Sequence, residues 1–252
     1  MKRLIFWTLP PLLLVGSVLG TLELLARTGW VAPFLFPAPT QILAAAFEFG
    51  QDLTPALLAT ARATLMGLLM SFFAGQGLAL LLSLSDFSRR ALYPFAVFFQ
   101  TVPIIAIAPL LVIWFGFGEP TVRASAAIVS FFPILSTALT GLASARREHL
   151  ELFAVLGSSK VQTLVKLQIP ASLRTSFAGL RVAAGLAVVG ALVGEFVGGG
   201  GLGAIIDSAR TQQRTDLVFA CVILSAALGL VFIGAVFLLE VLIQKWRPFN
   251  ES

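Results

Sequence analysis

A few places in this 252-residue chain carry residue types that could do chemistry. The run Gly198–Gly203, "GGGGLG", supplies the glycines of a phosphate cradle. Such a cradle also needs Lys followed by Ser or Thr after its last glycine, on a turn from strand to helix. Ala204 and Ile205 stand there instead, and the run follows an apolar stretch long enough to be a membrane helix. It reads as a turn, not as a nucleotide site. His149 is the only histidine and stands beside Glu148, two residues before Glu151, in a charged stretch. It reads as a solvated side chain rather than a metal ligand or a base. One cysteine, Cys221, excludes a disulfide framework and a cysteine-rich metal site. No Ser/His/Asp set can be assembled inside the membrane, so nothing supports an intramembrane enzyme, and no metal site is expected.

Glu195 remains, a carboxylate set well into an apolar run. A charge there is costly, so it faces a cavity or a partner. Two roles stay open for it, a gate on a solute path or a structural hydrogen-bonder near the outer end of its helix. Arg181 lies fourteen residues earlier, roughly 21 Å along a helix, so the two share a face without touching. A bare carboxylate would repel an anionic solute, which favours a neutral or cationic one such as a pyrimidine.

The elements that hold these residues follow from composition. Hydrophobic residues make up 58% of the chain and charged ones 12%, against about 25% charged in soluble domains. So few charges cannot cover so much apolar surface, and the bilayer is the better solvent. The basic residues sit in short loops without interleaved aromatics, which excludes a nucleic-acid groove and fits a cytoplasmic rim. A span needs roughly 20 mainly apolar residues. Six are expected, at about 4–25, 57–84, 91–117, 122–143, 177–197 and 217–243, in one all-α domain covering 1–252. The positive start reads as an uncleaved first helix rather than a signal peptide.

Orientation follows from Lys and Arg. One side carries Lys2, Arg3, Arg89, Arg90, Arg146, Arg147, Lys160, Lys166, Arg174, Lys245 and Arg247. The other carries Arg27, Arg123, Arg210 and Arg214, while Arg62 and Arg181 fall inside spans. The richer side faces the cytoplasm. Both termini and the longest inner loop, 145–176, are therefore expected there. Between the first two spans, "FPAPTQILAAAFEF" predicts a short helix at the outer interface, with Thr40 as its N-cap after Pro39.

Within the inner loop, "ELFAVLGSSKVQTLVKLQIP" runs from Glu151 to Pro170. A helix from about Arg147 carries Leu152, Phe153 and Leu156 on one side. Gly157-Ser158 breaks it, since glycine takes a positive φ at little cost. Ser159 with Gln162 fits a capping box that starts a second helix, striped by Val161, Leu164, Val165 and Leu167. Pro170 is expected to follow that helix's end. Two short amphipathic helices at an angle suit either a membrane-surface element or a knob that docks into a partner's groove.

The spacing resembles the cytoplasmic signature of ABC import permeases. Glu151 is followed by Gly157, then after nine residues by Leu167, one more residue, and Ile169-Pro170. The spacings all agree; Leu152-Phe153 stands where the family has two small residues, and Ile169 where it has Leu. "QTVPIIAIAPLLVIWFGFG" (100–118), "SFFPIL" (130–135), "GLRVAAGLA" (179–187) and "VGEFVGGGGLG" (193–203) resemble the branch serving nitrate, sulfonates, taurine, thiamine pyrimidine precursors and riboflavin.

The resemblance implies a type I importer permease in a bacterial inner membrane, working as a homodimer. It implies two copies of a cytosolic ATPase that bind ATP and Mg, an extracytoplasmic binding protein, and no cofactor on this chain. It also implies that Glu151, Phe153, Gly157, Ser158, Ser159, Lys160, Leu167 and Pro170 couple the chain to the ATPase. An ion-coupled secondary transporter is the alternative, though it would need more intramembrane carboxylates than Glu195.

Prolines and glycines inside spans complete the set. Pro103 and Pro109 free the carbonyls of Phe99 and Ile105, which must then meet protein or water. A pore-facing bend and a packing kink are both open there, and again at Pro133 in the fourth span. Gly190, Gly194 and Gly198 recur every fourth residue beside Ala183, Ala187 and Ala191. Such a ridge suits close helix packing, within the chain or between two copies, or a pore wall.

Overall fold

In a computed structural model of the chain, residues 2–30, 32, 34–84, 91, 94, 98 and 101–246 are described. The described elements are helices. α1 (Lys2–Arg27) leads to a short α2 (Pro39–Glu48) and then to the long α3 (Gly50–Ser83). α4 (Ile104–Phe115) and α5 (Glu119–Leu142) follow. α6 (Arg147–Val155) and α7 (Lys160–Thr163) pass through a π-helical turn, Leu164–Gln168, into α8 (Ile169–Gly198). α9 (Gly201–Thr211) and α10 (Thr215–Trp246) complete the order.

Among the described residues, four helices are long and apolar enough to cross a bilayer: Gly50–Ser83, Glu119–Leu142, Lys160–Gly198 and Thr215–Lys245. They match the second, fourth, fifth and sixth expected spans, each longer than its apolar run because the helix continues into polar ends. α1 covers the first expected span.

The third expected span, 91–117, is not one continuous helix. Its helix is interrupted at Val102-Pro103, and α4 restarts with Pro103 as N-cap and 12 residues of length. Twelve residues rise only about 18 Å, short of a bilayer core. The break follows from proline, which has no amide proton and pushes the residue before it out of the α region. Arg89, Arg90, Phe99, Gln100 and Arg247 lie outside the described residues, as does part of the stretch before the break.

The core is a three-helix contact of α3, α5 and α8, where small residues replace large ones. A Cβ added to Gly67 would meet Ala126 Cβ at 2.5 Å and the Arg123 carbonyl at 2.8 Å. Apolar layers lie at successive depths around it. Leu53, Leu202, Ile206, Leu217 and Cys221 pack at the end of the bundle beside α9. Leu68, Ile134, Ala183, Ala184, Ala187 and Val236 fill the middle. Ala79, Leu82, Leu135, Leu139, Leu142 and Leu164 close the opposite end, beside the 145–176 loop. Outward faces stay greasy, as lipid allows: Phe73 is 70% exposed and Leu230 70%.

Two capping expectations change in detail. Ala38, not Thr40, is the N-cap of α2, with Pro39 in its first turn. The Thr40 amide and hydroxyl instead donate to the Glu23 carboxylate of α1 at 3.1 and 2.8 Å. Pro170 does not end the second loop helix. The chain stays helical through the π turn, where the Ile169 amide donates to the Leu164 carbonyl, and Pro170 sits in the first turn of α8. A proline is tolerated in a first turn because its missing donor has no regular partner there.

Candidate functional site: an inner elbow and an outer glycine cradle

The inner loop folds as a sharp elbow. α6 ends at Gly157, whose φ is +70°, a value that costs other residues about 1–2 kcal/mol. The Gly157 amide returns to the Ala154 carbonyl at 3.0 Å, and the Ser158 amide to the Phe153 carbonyl at 3.0 Å. Ser159 then caps α7. Its hydroxyl accepts from the Gln162 amide at 3.2 Å, and the Ser159 amide donates to the Gln162 side chain at 2.9 Å. Arg147 pairs with Glu151 across one turn at 2.9 Å.

Local bonds therefore fix the elbow's shape, while its apolar side chains face out. Leu152, Leu156 and Val161 are exposed, and Val155 is 85% exposed. Phe153, Ser158, Leu167 and Pro170 are half-buried; Glu151, Ser159 and Lys160 are exposed. Two contacts tie the elbow to the bundle. Leu164 is buried in the inner core layer. Gly141 of α5 meets Ser172 of α8 so closely that a Cβ there would lie 2.9 Å from the Ser172 Cβ. A polar recess of about 300 Å³ lies between the end of α3 and the elbow, lined by Ser83, Leu150, Ser158, Lys160, Thr163 and Gln168.

The glycine ridge of α8 is filled from within the chain. A Cβ at Gly190 would lie 2.7 Å from the Ser125 carbonyl, and one at Gly194 would lie 2.8 Å from the Val122 Cα. At Gly198 the nearest atom would be Thr121 Cγ2, at 3.3 Å. The partner is α5, at backbone distance, so within this chain the ridge is packing surface. The Gly118 amide also donates to the Gly198 carbonyl at 2.8 Å, tying the α4–α5 turn to the end of α8. Pro103 and Pro109 are exposed on the chain's surface, and Pro133 is half-buried.

Glu195 is 2% exposed. Its Oε2 accepts from the Gly203 amide at 2.7 Å. Beside it, the Thr60 hydroxyl of α3 accepts from the Leu202 amide at 3.0 Å and donates to the Ala56 carbonyl at 3.1 Å. Gly199, Gly200 and Gly201 have φ of +79°, +88° and +60°. The turn expected at the end of the fifth span is present, and it leads into α9, a helix the apolar pattern did not reveal. The glycines do cradle an acid group, and it is the chain's own carboxylate. An argument from Glu195 to the charge of the solute loses its footing, since the carboxylate is already engaged with the Gly203 amide.

Arg181 also has a partner that the sequence reading missed. It forms an ion pair with Glu240 of α10, a carboxylate 8% exposed. Glu195 is therefore not the one carboxylate set inside a span. The signal was available, because an arginine and a glutamate each placed in an apolar run imply one another. At the outer end, Arg214 bonds Asp216 at 2.9 Å and stacks over Phe49 at 4.9 Å. Among the described residues, no cluster of three or more His, Cys, Asp or Glu could hold a metal ion.

Residues 67–245 match the model of the binding-protein-dependent transport system inner membrane component. The chain belongs to this family. It is a permease subunit of an ABC importer and a multi-pass inner-membrane protein. It is 36% identical to the formylaminopyrimidine transport permease protein ThiX of Halalkalibacterium halodurans, over 85% of this chain and 87% of that one. It is also 36% identical to the riboflavin transport system permease protein RibX of Chloroflexus aurantiacus, over 63% of this chain and 60% of that one. A chain of the MetNI methionine ABC transporter, solved in inward-facing conformations, superposes with a TM-score of 0.59. That match has 18% identity, covering 71% of this chain and 94% of that one, and speaks for the fold. The permeases of this family serve importers that also contain an ATPase and a binding protein.

Proposed function

We propose that this permease forms, with a second copy of itself, the membrane path for a small solute handed over by an extracytoplasmic binding protein. Two copies of a cytosolic ATPase, carrying ATP and Mg, seat the Glu151–Pro170 elbow and drive the cycle. Six spans with both termini in the cytoplasm place that elbow on the ATPase side. The solute is a small nitrogen heterocycle of the formylaminopyrimidine kind, a reading supported by the ThiX permease, 36% identical over 85% of this chain.

One observation carries the reading of the elbow. Its shape is set by its own caps and its apolar side chains stand in the open, between two helices that run into the core. An apolar helical surface with a rigid backbone suits a partner's groove, since little ordering entropy is lost on docking. Phe153, Leu156 and Val161 supply the contact area, Gly157 the angle, and Ser159 the stiffness.

The test is reconstitution in proteoliposomes with the cognate ATPase and binding protein. Uptake of the binding protein's ligand should require ATP and stop when the elbow's apolar residues become Asp. Uptake driven by an ion gradient without the ATPase would overturn the proposal. A binding-protein ligand outside the nitrogen heterocycles would overturn the substrate class alone.

A further inference from the structure

The elbow and the glycine cradle are the two ends of one rod. From Lys160 to Gly198 the chain is helical for 39 residues, about 58 Å at the rise of an α-helix. At the inner end the rod meets the elbow. At the outer end it meets three glycines in succession, all with positive φ. Left alone, such a joint would be a swivel, since glycine crosses between φ basins readily. Any displacement of the rod would be lost there before it reached α9.

The joint is pinned instead. Glu195 stands one turn before the rod's end and reaches forward to the Gly203 amide. A Cβ at Gly203 would lie 2.6 Å from the Glu195 Cβ and 2.9 Å from the Leu192 carbonyl, so only glycine allows this approach. Thr60 adds a fastening to α3 through the Leu202 amide. Buried Leu202, Ile206 and Ala209 then press α9 onto Leu53, Leu217 and Cys221. Its exposed face presents Ser208, Arg210 and Thr211 at the outer rim. Two orphan amides of this helix start, of the kind usually met by a local cap, are met here from other helices: Gly203 by the Glu195 carboxylate and Leu202 by the Thr60 hydroxyl.

We propose that Glu195 is a positioning residue for transport: by holding the Gly203 amide in the first turn of α9 it makes that helix move with α8, so that motion entering at the elbow reaches the outer rim. This rests on the reading of the elbow as the ATPase's seat. The pin itself is independent of it.

The test is amide hydrogen exchange on the permease in nanodiscs, alone and with its ATPase in nucleotide-free and ATP–vanadate states. In Glu195→Ala, exchange at residues 202–203 should rise about 10- to 100-fold. The nucleotide-dependent change in 201–211 should vanish while the ATPase still hydrolyses ATP. Glu195→Gln, which keeps an acceptor oxygen, should retain both protection and response. Thr60→Val, which frees only the Leu202 amide, should fall between them and stands in if Glu195→Ala fails to insert.

Wild-type exchange and response in Glu195→Ala would overturn the proposal. So would a loss shared equally by Glu195→Gln, unchanged behaviour of Thr60→Val, or a wild type whose 201–211 ignores nucleotide while hydrolysis proceeds. A permease that never binds the ATPase sinks the reading of the elbow instead, and the exchange rates without nucleotide still judge the pin.

Discussion

The rod from Lys160 to Gly198 is preceded and followed by breaks made with glycine, and the two breaks differ. Gly157 bends in open space: a Cβ there would meet nothing within 4 Å, and only φ is demanding. The outer turn is crowded, with Glu195 against Gly203 and Thr60 against Leu202. The inner break is stabilised by bonds to its own neighbours and leaves its apolar faces free. The outer break is stabilised by residues from α3 and from the rod itself. A joint meant for another subunit has to be stiff and unoccupied. A joint that passes motion within one chain has to be occupied.

The contrast breaks most severely at the ridge that carries the rod. Gly190→Leu drives a side chain into the Ser125–Ala126 backbone of α5. It should cost at least about 3 kcal/mol and remove most folded permease from the membrane, as read by fluorescence-detected size exclusion. Gly157→Leu should do the opposite. Stability should fall by only about 1–2 kcal/mol, the cost of positive φ. Transport should be lost with membrane abundance intact, measured as uptake per permease. A Gly157→Leu permease that transports normally would end the distinction between the two breaks.

The pair on the rod's flank comes next. Arg181→Leu leaves Glu240 buried beside Gln244 without a cation, and should cost about 2–3 kcal/mol in thermal unfolding. The double change Arg181→Leu/Glu240→Leu should recover most of that loss, because no charge is stranded. Ser159→Ala removes the α7 cap and should cost about 1 kcal/mol, with faster amide exchange in 160–163 and weaker ATPase binding. Smallest of all, Arg147→Ala breaks an exposed pair and should change stability by no more than about 0.5 kcal/mol. A large effect of Arg147→Ala on ATPase binding, with stability unchanged, would enlarge the docking surface to include that turn.

Much of the elbow was legible because its information is local. Gly157, Ser159 and Gln162 carry their conformations in residue type and spacing, and caps form wherever the chain offers them. Long apolar runs announce spans for a similar reason, since in lipid a backbone has few ways other than a helix to satisfy its own donors. Pro103 shows where locality misled. Its apolar surroundings argued for one bent span, but the helix stops and restarts there. Pro170 misled in the other direction, because a π turn absorbs the missing donor and carries the helix past it.

What the sequence by itself determined is the solvent, the helices and the break at Gly157. Each depends on residues within a few positions of one another. Only the tertiary structure decided where Glu195, Arg181 and the glycine ridge are used. Glu195 meets an amide eight residues on across a turn of three left-handed glycines, Arg181 meets a carboxylate 59 residues away, and Gly190 meets another helix. A residue's type says what contact it needs. Which atom answers depends on how the helices cross, and that is set by packing summed over the whole bundle.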